Sequence, residues 1–508
     1  MVARPYSQRP VPQRRHPRLP SARAWAPVAL LLAALASGPA AAQPVLGDYI
    51  VLVNNDLGMH CMNLNHANLS ILPPYNNLQA QVIRRGDATW LPQLVTSGVN
   101  LEYSFPGNTT SVTKTDFWTY APALFGVNLP ADVGLTGRSL SGTFDRSGDL
   151  YRADGIPLTP FMDATPTVEQ PYQVAQVIAR DAGGAELARA YPVAPVSIQV
   201  TCVSTGCHSS ENSIINGHDD EGGFDPNARP ILCARCHGST PLTGPSPGTA
   251  GWFSRRIHEK HSFIDQRIPG IAGCYKCHPG QSAACLRGTM ATDHGLICQD
   301  CHGNMDHVKN TIESGRIPWV DEPACRNCHT AQYGEPVGQL YRNSRGHGGV
   351  LCSNCHNSPH ADFPSREPRD NLVMVDLQGH AGVLSDCRVC HGVNPTGPGP
   401  HGLMATSAVE NEVFAATGRL RVFPSPAQIG AGCRIQAASA RAEQGKLLVF
   451  DVRGRTVRLL RGQADGEGAA LVAWDGRDQQ GRDVPSGVYF LKWDDGRVQA
   501  AGKVVIVQ

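Results

Sequence analysis

Residues 352–360 read CSNCHNSPH, and the first five letters of this stretch, Cys-x-x-Cys-His, recur five more times in the chain. In every copy a histidine directly follows the second cysteine. The six copies are Cys233/Cys236/His237, Cys274/Cys277/His278, Cys298/Cys301/His302, Cys325/Cys328/His329, Cys352/Cys355/His356 and Cys387/Cys390/His391.

This spacing is the attachment motif of c-type haem. The two thiols bond covalently to the macrocycle, and the adjacent histidine is the proximal ligand of the iron. Zinc ribbons also use Cys-x-x-Cys pairs, but zinc gives no reason for a histidine after every second cysteine. A disulfide framework would have varied spacings and would not need histidine. We expect haem c at all six motifs, with zinc and disulfides as the alternatives.

A seventh, wider copy lies in residues 201–210, TCVSTGCHSS, where four residues separate Cys202 from Cys207 and His208 follows. The extra residues can bulge outward, and Gly206 can supply the unusual dihedral angle that such a bulge needs. His208 precedes His237 by 29 residues, within the 24–41 residues between the other copies. We predict seven haems, with a disulfide between Cys202 and Cys207 as the alternative.

Residues 201–402, which carry these motifs, resemble multihaem c-type cytochromes, some of which also use Cys-x4-Cys-His. Apolar periodicity is weak there, and Gly and Pro are frequent. We therefore expect a mostly irregular region with short helices, whose interior the haems fill. The resemblance implies that a second histidine binds each iron and that every haem is low-spin, with a low potential. His218 is a candidate neighbour of the first haem. The candidate distal ligands are His218, His258, His261, His294, His307, His347, His360, His380 and His401.

An electron-transfer cytochrome follows from this resemblance, with other redox proteins or an extracellular acceptor as partners. One alternative is a multihaem oxidoreductase that acts on a small nitrogen or sulfur compound through one open iron. Similar nitrite reductases often mark that iron with Cys-x-x-Cys-Lys, which this sequence lacks. Another alternative is an adhesive or filament-forming cytochrome, a homo-oligomer in which subunits share ligands.

Residues 1–42 are predicted to be an export signal. Four arginines between residues 14 and 23 precede the apolar run PVALLLAALASG, and small residues offer a cleavage site after Ala42. The run is too short to cross a bilayer, and no later run reaches the necessary length. Without the six arginines of this segment the chain has 38 basic and 43 acidic side chains. This balance, without a basic stripe, argues against a nucleic-acid partner.

Residues 44–200 alternate in the manner of short strands and predict an all-β domain, a sandwich, with a hairpin turn at residues 181–184. The stretch DLGMHCMNLNH, residues 56–66, contains the soft ligand types Met59, His60, Cys61, Met62 and His66. It is either a buried loop against the haem region, a source of a distal ligand from His60 or His66, or a separate metal site. Cys61, Cys285 and Cys433 remain outside the motifs and allow at most one disulfide within the chain.

Residues 430–508 contain five strand-like runs separated by Gly/Asp turns and predict a second sandwich, with residues 403–429 as the linker. The stretches Trp474-Asp475-Gly476, Gly481, Gly487-Val488-Tyr489 and Lys503-Val504-Val505 resemble the Ig-like domain of flagellar hook-cap proteins. The ending also resembles sorting domains of type IX secretion. That resemblance implies a protein at the outer-membrane surface or outside the cell, with the periplasm as the alternative.

Overall fold

The computed structural model describes residues 44, 46–200, 202–220, 222–280, 282–402, 418–423, 427–428, 430, 432–437, 443, 445–451, 456–464, 470–485, 487–495 and 499–507. The expected export signal lies outside these residues. Within the described part, no helix has the length and apolar character needed to cross a membrane.

The N-terminal region consists mainly of strands whose inward residues are apolar. In the strand Val99–Ser104, for example, Val99, Leu101 and Tyr103 are buried and their neighbours are not. The strands are β1 (Tyr49–Asn54), β2 (His60–Cys61), β3 (Leu69–Ser70), β4 (Asn76–Arg84), β5 (Gln93–Leu94), β6 (Val99–Ser104), β7 (Gly142–Thr143), β8 (Asp145–Ser147), β9 (Leu150–Ile156), β10 (Phe161–Met162), β11 (Thr165–Glu169), β12 (Tyr172–Val174), β13 (Gln176–Asp181), β14 (Glu186–Ala190) and β15 (Val193–Ser197).

Two larger sheets of this region share one hydrophobic core. One sheet has the order β1-β4-β9-β8 with β5 beside β4, and the other has the order β14-β13-β6-β7. Leu52 and Val82 of the first sheet lie in the same buried cluster as Leu101 and Val177 of the second. The predicted hairpin turn is confirmed, because β13 and β14 pair on either side of residues 181–184.

The prediction of an all-β domain is wrong in one element, the helix α1 (Phe117–Phe125). Its buried residues Phe117, Ala121 and Leu124 follow a helical spacing that the sequence contained. The helix ends at Gly126, whose φ of 72° suits a left-handed C-terminal cap.

The middle region has short helices and one short strand, as its Gly- and Pro-rich sequence predicts. Its strand β16 (Ile231–Leu232) pairs in parallel with β3 of the N-terminal region. The α-helices are α2 (Glu211–Asp219), α3 (Thr240–Thr243), α4 (Phe253–His261), α5 (Ile264–Arg267), α6 (Ile271–Cys274), α7 (Thr289–Thr292), α8 (Cys298–His302), α9 (Met305–Glu313), α10 (Arg326–Tyr333), α11 (Cys352–His356), α12 (Leu372–Gln378) and α13 (Arg388–His391). Short 3₁₀ helices cover Cys233–Arg235, Tyr341–Asn343, His347–Gly349, Pro368–Asn371 and Pro400–Gly402.

Each hydrophobic cluster that includes a residue of this middle region is shared with the N-terminal region. Phe363, Met374 and Val389 belong to the core of the two N-terminal sheets. Ala283 packs with Tyr172 in a small second cluster, and Leu232 and Ala234 pack with Leu124 in a small third one. The apolar interior of the middle region therefore depends on the N-terminal sheets.

The C-terminal region forms two sheets around its own core, which includes Leu447, Trp474, Trp493 and Val504. Its strands are β17 (Gly418–Arg419), β18 (Arg421–Phe423), β19 (Ala427–Gln428), β20 (Cys433–Ala437), β21 (Lys446–Phe450), β22 (Thr456–Arg461), β23 (Gln463–Ala464), β24 (Ala470–Trp474), β25 (Gly487–Asp494) and β26 (Gln499–Val507). The six-stranded sheet has the order β17-β26-β25-β21-β22 with β19 beside β26, and the four-stranded sheet has the order β18-β20-β24-β23.

This arrangement corrects the expected linker at residues 403–429. Residues 403–417 lie outside the described residues, whereas β17, β18 and β19 pair with strands of the C-terminal sheets. The sandwich therefore begins by residue 418. Sequence patterns could not show this, because the first strands of the sandwich pair with strands that come later in the chain.

Candidate haem sites

The Cys-x-x-Cys-His segments have a common backbone arrangement in which the histidine N–H donates to the carbonyl of the first cysteine. The donor–acceptor distance is 2.9 Å between His278 and Cys274 and 3.1 Å between His237 and Cys233. The same bond measures 2.9 Å in the motifs of His329 and His391. This helical turn brings both cysteines and the histidine to one short surface.

The wider segment of residues 202–208 ends with the same bond. The N–H of His208 donates to the carbonyl of Cys202 at 3.1 Å, although two more residues lie between them than in the other motifs. The extra residues form a turn, with a 2.9 Å bond from Gly206 N to Val203 O. Gly206 has a φ of 76°, the left-handed conformation that the sequence led us to expect at this glycine.

Four of the predicted attachment cysteines are exposed, which differs from the expected haem-filled interior. Each of them is the second cysteine of its segment: Cys207, Cys236, Cys301 and Cys328. The first cysteine of each of these segments is half-buried. The middle region has few apolar side chains of its own to cover the end of such a turn. The structure therefore does not support an enclosing interior around these four cysteines, and their attachment to haem stays a prediction.

Six of the seven motif histidines lie opposite one histidine from outside the motifs. No histidine occurs in two pairs, and no pair joins two motif histidines. The ring-centroid distances are 6.1 Å for His208–His261, 6.1 Å for His237–His218, 6.3 Å for His278–His258, 6.2 Å for His302–His360, 5.9 Å for His356–His401 and 6.0 Å for His391–His347.

These distances fit an iron held between two imidazoles. A histidine nitrogen binds a first-row metal at about 2 Å, and its ring centre lies about 1 Å behind that nitrogen. Two histidines on opposite sides of one iron therefore place their ring centres roughly 6 Å apart. If these were ordinary packing contacts between rings, we would not expect all six pairs to combine one motif histidine with one histidine from outside the motifs.

Hydrogen bonds orient several of the non-motif histidines. The Nδ1 atoms of His258 and His261 lie 2.7 Å from Ser254 O and 2.9 Å from Ile257 O, one turn earlier on α4. The Nδ1 atom of His360 lies 2.8 Å from Leu57 O. A proton on Nδ1 that is donated to a carbonyl fixes the tautomer in which Nε2 is free to bind a metal.

Burial favours the neutral, metal-binding form of three of the paired histidines, His278, His258 and His360. It lowers the pKa of His278 to about 4 and also lowers the pKa of His258 and His360.

Four expected ligands are not paired. His294, His307, His329 and His380 are exposed. Among the described residues, none of these four rings contacts another histidine ring. His218 lies opposite His237, whereas the sequence suggested it as a neighbour of the first haem at His208.

The cysteines are all unbonded thiols in the structure. In the part of the chain that the structure describes, no group of three or more His, Cys, Asp or Glu side chains is arranged to hold a metal ion. Instead, the possible metal ligands that lie close together are the histidines of the six pairs.

The stretch of residues 56–66 does not supply a distal ligand. The Nε2 atom of His60 lies 3.2 Å from Asp56 Oδ1, and its ring stacks on Tyr75. The buried ring of His66 contacts Phe117, and its Nδ1 lies 2.9 Å from Ser70 Oγ. Neither ring lies beside a motif histidine among the described residues, so the structure does not support the distal-ligand interpretation, and the stretch, which includes β2, packs against the middle region.

That loop approaches the His360 segment closely. A Cβ atom on Gly58 would lie 2.2 Å from Ser358 Oγ and 3.3 Å from His360 Cβ. The neighbouring Leu57 provides the carbonyl that orients His360. Sequence analysis could not identify Leu57, because every residue type has a backbone carbonyl.

Polar residues of β4 and its end also hold motif segments in place. Gln81 Oε1 accepts from Leu351 N at 2.8 Å and from Asn354 Nδ2 at 2.9 Å, which fixes the start of α11. Arg85 Nε donates to Val389 O at 2.7 Å within the last motif. The N-terminal sheets therefore act as a scaffold for the last two motifs.

Comparison with protein-family models identifies part of the C-terminal region. Residues 430–494 match the FlgD Ig-like domain. The solved structure of PorZ, described as a surface component of the type-IX secretion system of Porphyromonas gingivalis, is 20% identical to this chain. That match covers 21% of this chain and only 14% of PorZ, with a TM-score of 0.15.

A second solved structure, CopC from Methylosinus trichosporium OB3b, is 14% identical, with a TM-score of 0.13. The match covers 18% of this chain and 90% of CopC. No curated protein matches the chain. The chain therefore contains a FlgD Ig-like domain at its C-terminal end.

Proposed function

We propose that this chain is an exported multihaem c-type cytochrome that carries electrons to extracellular acceptors or partner redox proteins. The observation that supports this most is the set of six histidine pairs, each with one motif histidine and one other histidine at ring-centroid distances of 5.9–6.3 Å. Haem iron supplies reversible one-electron oxidation and reduction when bound.

The residues divide into three roles in this proposal. The motif cysteines, with Cys202 and Cys207, would attach seven haems covalently, and each of the seven motif histidines would bind one iron. The six paired non-motif histidines would bind six of these irons and keep small molecules from them. Backbone carbonyls such as those of Leu57 and Ser254 hold the distal rings in the binding orientation.

Haem content and ligation test this proposal directly. The exported protein should give the spectrum of c-type haem, and alkaline pyridine should convert it to the spectrum expected for thioether-bound haem. Electron paramagnetic resonance should show bis-histidine low-spin signals. A purified exported protein without covalently bound haem would contradict the proposal.

We further propose that the C-terminal sandwich directs the protein to the cell surface through type IX secretion. Among the residues that the structure describes, its hydrophobic core consists of residues between Leu420 and Ile506, which suits a separable module. Its last strands carry the sequence that resembles sorting domains.

A specific observation favours multihaem oxidoreductase activity as the second candidate function. His329 is a motif histidine, yet its exposed ring has no histidine partner among the residues that the structure describes. An iron bound there would have one face open to a small nitrogen or sulfur compound.

Titration with carbon monoxide distinguishes the two functions. A pure electron carrier with a complete set of distal ligands binds none. The oxidoreductase binds one carbon monoxide per chain, and nitrite or hydroxylamine competes for the same site.

A further inference from the structure

Two cysteines outside the haem motifs, Cys61 and Cys285, are in segments that pack against each other. Ala284 N donates to Tyr172 Oη at 2.9 Å, and Arg287 Nη1 donates to Gly58 O at 2.6 Å. These two bonds hold the chain on both sides of Cys285 against the N-terminal region. Gly58 lies only three residues before Cys61.

A carboxylate joins the two segments a second time. Glu169 Oε1 accepts from Ser197 Oγ at 2.8 Å, and Glu169 Oε2 accepts from Ser282 Oγ at 2.6 Å. Ser197 is the partner of Cys61 in the parallel pairing of β15 with β2. Glu169 therefore links the strand of Cys61 to the segment that leads into Cys285.

Both thiols are shielded from solvent, and Cys285 packs on a residue close to Cys61 in the chain. Cys285 packs against a buried cluster that includes Met59, two residues from Cys61. Burial and the neighbouring Cys285 thiol raise the pKa of Cys61, and burial raises the pKa of Cys285 to about 11. The two sulfur atoms therefore lie within each other's electrostatic range.

We propose that Cys61 and Cys285 form a disulfide in the exported protein, which covalently ties the N-terminal sheets to the middle region. The structure shows the reduced form, with two unbonded thiols. On oxidation two S–H bonds break and one S–S bond forms. The two protons and two electrons pass, by thiol–disulfide exchange, to the disulfide of a thiol oxidase in the exporting compartment, which becomes a dithiol.

The raised pKa values indicate when this bond forms. The thiolate is the attacking species in exchange, and burial keeps both thiols protonated after folding. The bond is therefore expected to form while the segment of Cys285 docks, and the buried product resists reduction. This inference does not rest on the proposed electron-transfer function.

Peptide mapping of the full-length exported protein tests the disulfide. The protein is denatured in acid with N-ethylmaleimide and digested without reductant. We expect one linked peptide that contains Cys61 and Cys285 and disappears after reduction, while Cys433 is labelled. Maleimide on both Cys61 and Cys285 before reduction would overturn the proposal.

Two variants complete the test. Cys61→Ser should release Cys285 to maleimide labelling, whereas Cys433→Ser should leave the linked peptide unchanged. A linked peptide that joins Cys285 to Cys433 instead would also overturn the proposal. The absorption spectrum of the same sample reports haem separately, so a failure of the proposed function is distinguishable from a failure of the disulfide.

Discussion

The ring of His360 lies opposite the ring of His302, with the ring centroids 6.2 Å apart and the planes 25° from parallel. His360 follows a different motif histidine, His356, by only four residues, and His356 instead lies opposite His401. One short segment thus supplies one histidine to each of two histidine pairs.

Replacement of His360 tests this pairing. In His360→Ala one iron should lose its distal ligand, while Cys298, Cys301 and His302 still hold its haem. We expect one additional high-spin signal and the binding of one more carbon monoxide per chain than in the parent protein. His380→Ala is the control, since His380 is exposed and its ring is unpaired in the structure. Equal carbon monoxide binding by the two variants would show that the pair is not a ligand pair.

A change at Gly58 tests whether the N-terminal loop positions His360. In Gly58→Ala the new methyl group would meet Ser358 and His360, so the low-spin signal of one haem should change. Gly98→Ala is a matched control, because Gly98 has a φ of 74° and nothing within 4 Å of an added Cβ. Both variants should lose about 1 kcal/mol of stability from the left-handed backbone. An unchanged spectrum in Gly58→Ala would show that the loop does not position His360.

The sequence predicts the proximal side of the candidate sites much better than the distal side. The proximal residues lie within five to seven positions of one another, so local spacing defines them. The distal partners depend on tertiary packing: His347 lies opposite His391, not opposite the nearer His356. The docking of the middle region on the N-terminal sheets is equally non-local, since it uses side chains such as Gln81 and Arg85 that resemble ordinary surface residues.

The buried ion pair of Arg287 and Asp370 should be essential for stability. Arg287 Nε and Nη2 donate to the two carboxylate oxygens at 2.6 and 2.9 Å, and both side chains are 1% exposed. Arg287→Met leaves a buried carboxylate without its partner, which typically costs about 3–5 kcal/mol. Arg189→Ala, which removes an exposed pair with Glu186, should cost less than about 1 kcal/mol. Urea unfolding followed by circular dichroism measures the free energy of unfolding of both variants. Similar losses of stability in the two variants would contradict the essential role of the Arg287–Asp370 pair.

Removal of the C-terminal sandwich should retain the protein in the periplasm. The deletion should begin at residue 418, because β17 and β19 pair with β26 and a cut at residue 430 would leave them without partners. We expect the truncated protein to carry its full haem content but to be protected from protease added to intact cells. Cleavage of the truncated protein in intact cells would show that the sandwich is not the sorting signal.

The number of covalently bound haems tests the central claim most directly. Intact mass spectrometry of the mature protein should give the mass of the polypeptide plus seven haems. The double variant Cys202→Ser/Cys207→Ser should lose one of these haem masses, whereas Cys61→Ser/Cys285→Ser should lose none. A mature chain with no haem mass would contradict the account as a whole. A chain with six haems and unmodified Cys202 and Cys207 would contradict the assignment of residues 202–208 as a seventh attachment site.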